Sequence, residues 1–294
     1  MQHWLTYALV TTLFWGVWGA LIELPEKRGF PATLGYVVWA LTMIPCAVVA
    51  LAIVGWKLET DARSVALGAA AGLLGAGGQL ALFETLRRGP AYLVFPIVGL
   101  SPAVSVVMAV TLLGESTTPR VWTGIVLALV AVPLLSYQPP GGTPVAKGRL
   151  WLWLSLAVCL AWGVQAYVLR FANQTMRSEG IFFYMTATGL LLIPVALWMT
   201  DFRKPIAWKP SGMAALIQSL NSIGALTMVY AFRYGKAIVV SPLINAGAPL
   251  LTTLISLAVA GALPGPYKLA AVLLALAGAL LLSLQPDAPA DAPA

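Results

Sequence analysis

The chain has 294 residues, 60% of them hydrophobic and 9% charged, with a formal net charge of +7. Soluble domains carry about 45–50% apolar and about 25% charged residues, so a soluble fold is excluded and an all-α, multi-pass membrane protein is expected. The 17 Lys and Arg residues are scattered between apolar stretches and form no run, so they read as membrane-flanking anchors and not as a nucleic-acid interface.

Charges and Pro/Gly clusters divide the chain into ten apolar segments, each taken as a helix crossing ~30 Å of hydrocarbon. The first covers residues 4–23. It has no basic n-region and is long enough to remain as a span, so no cleaved signal peptide is expected. Thr12, Trp15, Gly16, Gly19 and Glu23 fall on one stripe of it, with Trp18 nearby. Trp4, like Trp151 and Trp153 further on, reads as an interfacial tryptophan. Trp15 lies deeper, about 16 Å along at 1.5 Å per residue, and reads as a cavity or packing aromatic. The second segment, 31–55, contains Pro45 and Cys46. With Cys159, Cys46 reads as a small buried hydrophobe, not half of a disulfide.

The third segment, 64–86, places Gly68, Gly72, Gly75 and Gln79 on one helical face. The glycines suit close helix packing in lipid. Gln79, an amide at depth, needs partners or water, and two readings stay open for it: cavity lining and interhelical bonding. Glu84 precedes Arg87 and Arg88 by three and four residues, the spacing of helical ion pairs. A structural salt bridge is the plainer reading of Glu84. A coupling role for it, or for Glu23 at the same membrane face, is the sharper one. The fourth segment, 90–114, clusters Pro96, Ser101, Pro102 and Ser105; a proline removes a backbone donor and kinks the helix. The fifth runs over 119–138, and "QPPGGTPVAKGR" supplies a linker at 139–148.

The remaining segments, 149–171, 178–200, 211–233, 237–262 and 265–285, repeat the first five. Trp4 and Trp151, Trp15 and Trp162, Pro102 and Pro249, Gly114 and Gly261, and Ser136 and Ser283 are each 147 positions apart. Pro45 and Pro194 are 149 apart; Pro96 and Pro242, like Arg87 and Arg233, are 146 apart. The series is collinear through every segment. Two homologous halves of five helices, 1–138 and 149–285, are therefore expected, followed by a disordered tail at 286–294. Five is odd, so the second half enters the bilayer from the other side, an inverted repeat of the kind found in secondary transporters. Trp18 and Gln165 occupy equivalent places, so the halves are chemically unequal there. Gln218, Asn221 and Asn245 add amides on seams that face the same centre, and Tyr167 is a further candidate wall.

The stretches "ALFETLRRGPAYLVFPIVGLSPAVSVVMAVTLLGESTTPRVWTGIVLALVAVPLL" and "MVYAFRYGKAIVVSPLINAGAPLLTTLISLAVAGALPGPYKLAAVLLALAGALLLS" resemble the drug/metabolite transporter superfamily, particularly its EamA-type bacterial members. The shared features are a proline-bearing fourth helix, a Gly-Glu at its end and a Gly-containing fifth helix. The second copy departs from the pattern: Ala262 stands where the first has Glu115. The resemblance implies ten helices, a small-molecule solute and a bacterial-type cytoplasmic (inner) membrane. It implies cytoplasmic termini too, and these are preferred here to the count of ten Lys and Arg in loops opposite the termini against seven on their side, which leans the other way.

The expected substrate-binding set is Trp15, Trp18, Gln79, Ser101, Trp162, Gln165, Tyr167, Asn221 and Asn245. The candidate hinges, which could equally be static kinks, are Pro45, Pro96, Pro102, Pro194, Pro242 and Pro249. Glu23, Glu84 and Arg87 are the candidates for coupling or ion pairing. Neither cofactor nor metal is expected, because His3 is the single histidine and the acids form no paired motif. The same scarcity argues against an intramembrane enzyme, while a channel or scaffold stays open as the alternative. The expected substrate is a small neutral or zwitterionic organic solute, such as an amino acid or related metabolite, moved by alternating access through a monomer or weak homodimer.

Overall fold

The computed structural model describes residues 3–89, 91–136, 148–261, 263 and 265–286. Apart from Gly148 and Pro286, the expected linker and tail lie outside these. The described chain is helical: α1 (His3–Lys27), α2 (Ala32–Ile53), α3 (Ala62–Arg88), α4 (Val94–Leu112), α5 (Pro119–Leu135), α6 (Leu150–Ala172), α7 (Ser178–Met199), α8 (Ser211–Tyr234), α9 (Ala237–Val259) and α10 (Pro266–Leu282). All but α5 and α10 are long and apolar enough to cross a membrane; those two are shorter apolar helices.

Local sequence accounts for the breaks. Asp61 caps α3 by accepting the Ser64 backbone N–H at 3.0 Å. Hydrogen bonding from Ser64, through its side chain first and its backbone N–H second, holds the Asp61 carboxyl below its ordinary range. The glycine-rich middle of α3 forms a five-residue π-turn, Leu73–Gly77, a feature common at functional sites. The prolines do not act in matched pairs. Pro102 and Pro194 each occupy the first turn of a restarted helical segment, where the missing N–H is no loss. Their repeat partners Pro249 and Pro45 lie inside unbroken helices, as does Pro242. Pro96 lies within the short segment Ala91–Val98, just before the break.

The halves are interleaved. α1 packs on α8 and α9, and α6 correspondingly on α3 and α4. α2 packs on α7 and α8, α3 on α7, and α5 on α10. In lipid, where apolar burial drives helix association weakly, small residues and hydroxyls do this work. The pairs Thr11–Thr227, Thr33–Thr200 and Thr42–Ser222 join helices of opposite halves at 2.7–2.9 Å. Gly68 and Gly72 let α3 approach Tyr184 and Thr188 of α7 more closely than any Cβ would allow. One pairing lacks its counterpart: α9 packs on α5, but α4 and α10 make no comparable contact among the described residues.

Exposed tryptophans ring both ends of the bundle: Trp56 and Trp122 at one, Trp153, Trp198 and Trp208 at the other, as expected of membrane-interface anchors. Trp4 is a correction to the sequence reading. It is fully buried, and its indole donates to Gln285 O at 3.0 Å, so it ties α1 to the end of α10 instead of facing lipid.

Candidate functional site: a central cavity open at one end

A cavity of about 1890 Å³ runs into the bundle between the halves. Its waist is built on a repeated bond. Trp15 donates its indole N–H to Asn221 O at 3.2 Å, and Trp162 donates to Gly75 O at 3.3 Å. Both donor and acceptor positions are repeat equivalents, 147 and 146 apart. Each ring lies against a glycine, Gly224 and Gly78 respectively, where an added Cβ would collide with it. The next pair differs between halves: Trp18 donates to Gln218 Oε1 at 3.1 Å, whereas Gln165 donates to Ala71 O, just ahead of the π-turn, at 2.9 Å.

These bonds separate the predicted residues by availability. Gln165 and Gln218 are buried and occupied in holding helices together. The amides of Gln79 and Asn221 line the cavity, half-buried, and make no side-chain hydrogen bond among the described residues. Asn245 donates to Ser241 O at 2.9 Å, leaving its carbonyl oxygen to the cavity it lines. Trp15, Trp18, Trp162 and Ser101 also line it. Tyr167 does not. Its ring stacks on Phe171 with centroids 6.0 Å apart, outside the cavity, so the expectation of a wall there is corrected. α6 turns that face away from the cleft, although Ala166 beside it lines the cavity.

Toward the termini the floor is apolar, with Met43, Met185, Met228, Leu169, Ile244 and Phe232. Trp39, overlooked in the sequence, is in the wall, and its buried indole N–H has no hydrogen-bond partner among the described residues. Its position seven residues into α2, about 10 Å from the helix start, was the available signal. The fixed charges of the lining gather at the mouth: Glu23, Glu26, Lys27, Arg87, Arg88, Asp201, Lys204 and Lys268. Glu84 pairs with Arg87 at 3.4 Å and Arg88 at 2.6 Å. Arg87 also donates to Met199 O, and Glu23 pairs with Lys27 on the surface at 2.7 Å.

Below the floor the bundle is sealed. Tyr7 stacks on Tyr230 and Tyr234, and Tyr230 donates to the buried Glu179 at 2.5 Å. Asn173 donates to Val229 O, and Arg170 pairs with Glu115 at 3.1 Å with both side chains almost fully buried. None of these four polar residues, Arg170, Glu115, Glu179 and Asn173, was singled out as functional from sequence. Each lies at a helix end, where polar residues are commonplace and only packing shows which are buried.

A polar waist reached from one end and closed at the other defines a membrane protein built to admit a small molecule between two related halves. The model of the EamA-like transporter family matches the chain twice, over residues 2–137 and 149–284. The chain belongs to this family, and so to the drug/metabolite transporter superfamily. One solved crystal structure, 20% identical, superposes with a TM-score of 0.77 over 95% of this chain and 98% of that one, a likeness in fold alone. No curated protein matches the chain.

Proposed function

We propose that this protein is a secondary transporter that moves a small neutral or zwitterionic organic solute, an amino acid or related metabolite, by alternating access. All ten helices cross the bilayer, in two inverted five-helix halves related by an axis in the membrane plane. The protein sits in a cytoplasmic (inner) membrane with cytoplasmic termini, and the cavity described above opens to the other side. The supporting observation is that cavity: shared by both halves, polar and uncharged at its waist, open at one end and sealed at the other. An obligate ion would ordinarily meet a countercharge at midplane, where an unpaired charge is expensive; here Gln79, Asn221 and Asn245 offer neutral donors and acceptors. Facilitated diffusion fits the waist better than tight proton coupling.

Uptake by purified protein in proteoliposomes, across a panel of metabolites with and without a pH gradient, tests the reading. Saturable flux of a neutral or zwitterionic solute that persists without the gradient is expected. Flux only of polyanions, strict dependence on the gradient, or unsaturable conductance would overturn it, the last in favour of a channel.

A further inference from the structure

The seal at the terminal end contains an arrangement that the open end lacks among the described residues. Arg170 sits at the end of α6, and its Nε lies 3.1 Å from Glu115 Oε1. Its Nη1 donates to Phe232 O at 3.2 Å and to Arg233 O at 3.0 Å, the last carbonyls of α8. Glu115, just past α4, accepts the Ile238 backbone N–H at 3.0 Å through its other oxygen. Ile238 is in the first turn of α9, whose N–H groups have no intrahelical partners. The α8–α9 corner is therefore held twice: a cation on the carbonyl end of α8 and an anion on the amide end of α9, both matched to the helix dipoles. Lys236, within the corner, donates to Ser116 O at 2.6 Å and adds a third tie to the segment after α4.

The repeat gives the comparison. The position equivalent to Arg170 is Glu23, and that equivalent to Glu115 is Ala262. In sequence a carboxylate thus replaces the guanidinium and an alanine replaces the glutamate. Glu23 is exposed and pairs within its own helix with Lys27. By sequence the open end cannot build the same clamp. Such a clamp is strong in one direction only: with both partners in place the charges satisfy each other, and removing one leaves the other buried and uncompensated.

From this we infer that Arg170 and Glu115 are the positioning residues of the terminal-side gate. They hold the α8–α9 corner against α4 and α6 and bias the protein toward the state open at the opposite end. Opening the terminal side requires the corner to leave both groups, and nothing equivalent opposes opening of the mouth. This rests on the alternating-access reading and adds to it the pair that makes the two states unequal.

The test is sidedness of thiol labelling in oriented proteoliposomes, in a background of Cys46→Ala and Cys159→Ala. One reporter is Met228→Cys at the floor; the other is Ser256→Cys at the mouth. With the clamp intact, a membrane-impermeant maleimide should reach both reporters only from the side opposite the termini. Glu115→Gln and Arg170→Gln should each raise terminal-side labelling of the floor cysteine by about tenfold or more and slow labelling at the mouth. Arg170→Lys should do the same, since one ammonium cannot hold a carboxylate and two carbonyls in the fork geometry of a guanidinium; protection equal to the parent's in this variant would overturn the capping role. Unchanged sidedness in the Gln variants would overturn the gate, as would labelling of both reporters from both sides at once, which marks a structural strut. Absence of saturable uptake across the metabolite panel would instead overturn the transport reading and leave the labelling result standing.

Discussion

At the scale of single residues, hydrogen bonding divides the polar groups of the waist into two kinds. Gln165 and Gln218 are committed to other helices, whereas Gln79 and Asn221 line the cavity with no side-chain hydrogen bond among the described residues. Gln79→Ala and Asn221→Ala should therefore each raise KM for the solute about fivefold, the loss of one net hydrogen bond of about 1 kcal/mol, with little effect on thermal stability. Gln165→Leu should do the reverse: it removes the interhelical bond to Ala71 O in a buried seam, costs about 1 kcal/mol, and should lower the thermal midpoint in detergent. The glycines under the indoles give a sharper contrast. Gly224→Val drives side-chain atoms into Trp15 and should destabilise by about 1–3 kcal/mol. Gly212→Ala, with open space around it, should leave the midpoint unchanged.

For the elements, helix ends and interruptions matter more than helix centres. The N-cap of α3 makes a pH prediction. The hydrogen bonds from Ser64, side chain and backbone N–H, are made to the Asp61 carboxylate, so the folded pKa lies below the unfolded value of about 3.9. A depressed folded pKa contributes stability that is present above the unfolded pKa and is lost as pH falls through the folded one. The protection of the Ser64 amide, the slowing of its exchange relative to the intrinsic rate at the same pH, should accordingly be high at neutral pH and fall only as the medium becomes more acidic than pH about 3.9. In Asp61→Ala that protection should be low throughout. Proline placement is the complementary lesson. The sequence shows Pro102 and Pro249 as repeat equivalents, but one opens a helical segment and the other lies inside an unbroken helix. A proline's effect depends on whether its missing N–H falls where a bond was needed, and that register is not visible in a matched pair of letters. Pro249→Ala should slow turnover by stiffening α9, with the apparent affinity little changed. Pro102→Ala should leave turnover within about twofold, because a first-turn N–H has no intrahelical partner to regain.

Across the whole molecule, the two halves are not two independently packed bodies. α1 lies against α8 and α9, and α6 against α3 and α4, so each half lends its first helix to the other. Residues 1–138 and 149–285 expressed separately should each aggregate, because each leaves a seam of glycines and hydroxyls without its partner. Co-expressed, they should co-purify as a stoichiometric complex on size exclusion. Recovery of a stable, monodisperse half on its own would contradict the interleaved packing.

The sequence by itself determined the class of protein, the helical segments and the internal repeat. Hydrocarbon demands long uncharged stretches, and duplicated halves keep their landmark prolines, glycines and tryptophans at a constant offset. It also pointed to Trp15 and Trp162 as an equivalent pair, because deep tryptophans beside glycines stand out against lipid-facing leucines. Tertiary structure decided which polar groups are available and which are occupied: Gln79 and Gln165 are the same chemistry in sequence and both line the cavity, yet Gln165 bonds to the neighbouring helix and Gln79 makes no side-chain bond among the described residues. It also turned Tyr167 away from the cavity, buried Trp4, and brought Glu115, Arg170 and the α8–α9 corner together from three separate stretches of chain. A charge at a helix end reads the same in sequence whether it meets water or an opposite charge. The difference is desolvation, and that is set only when the helices pack.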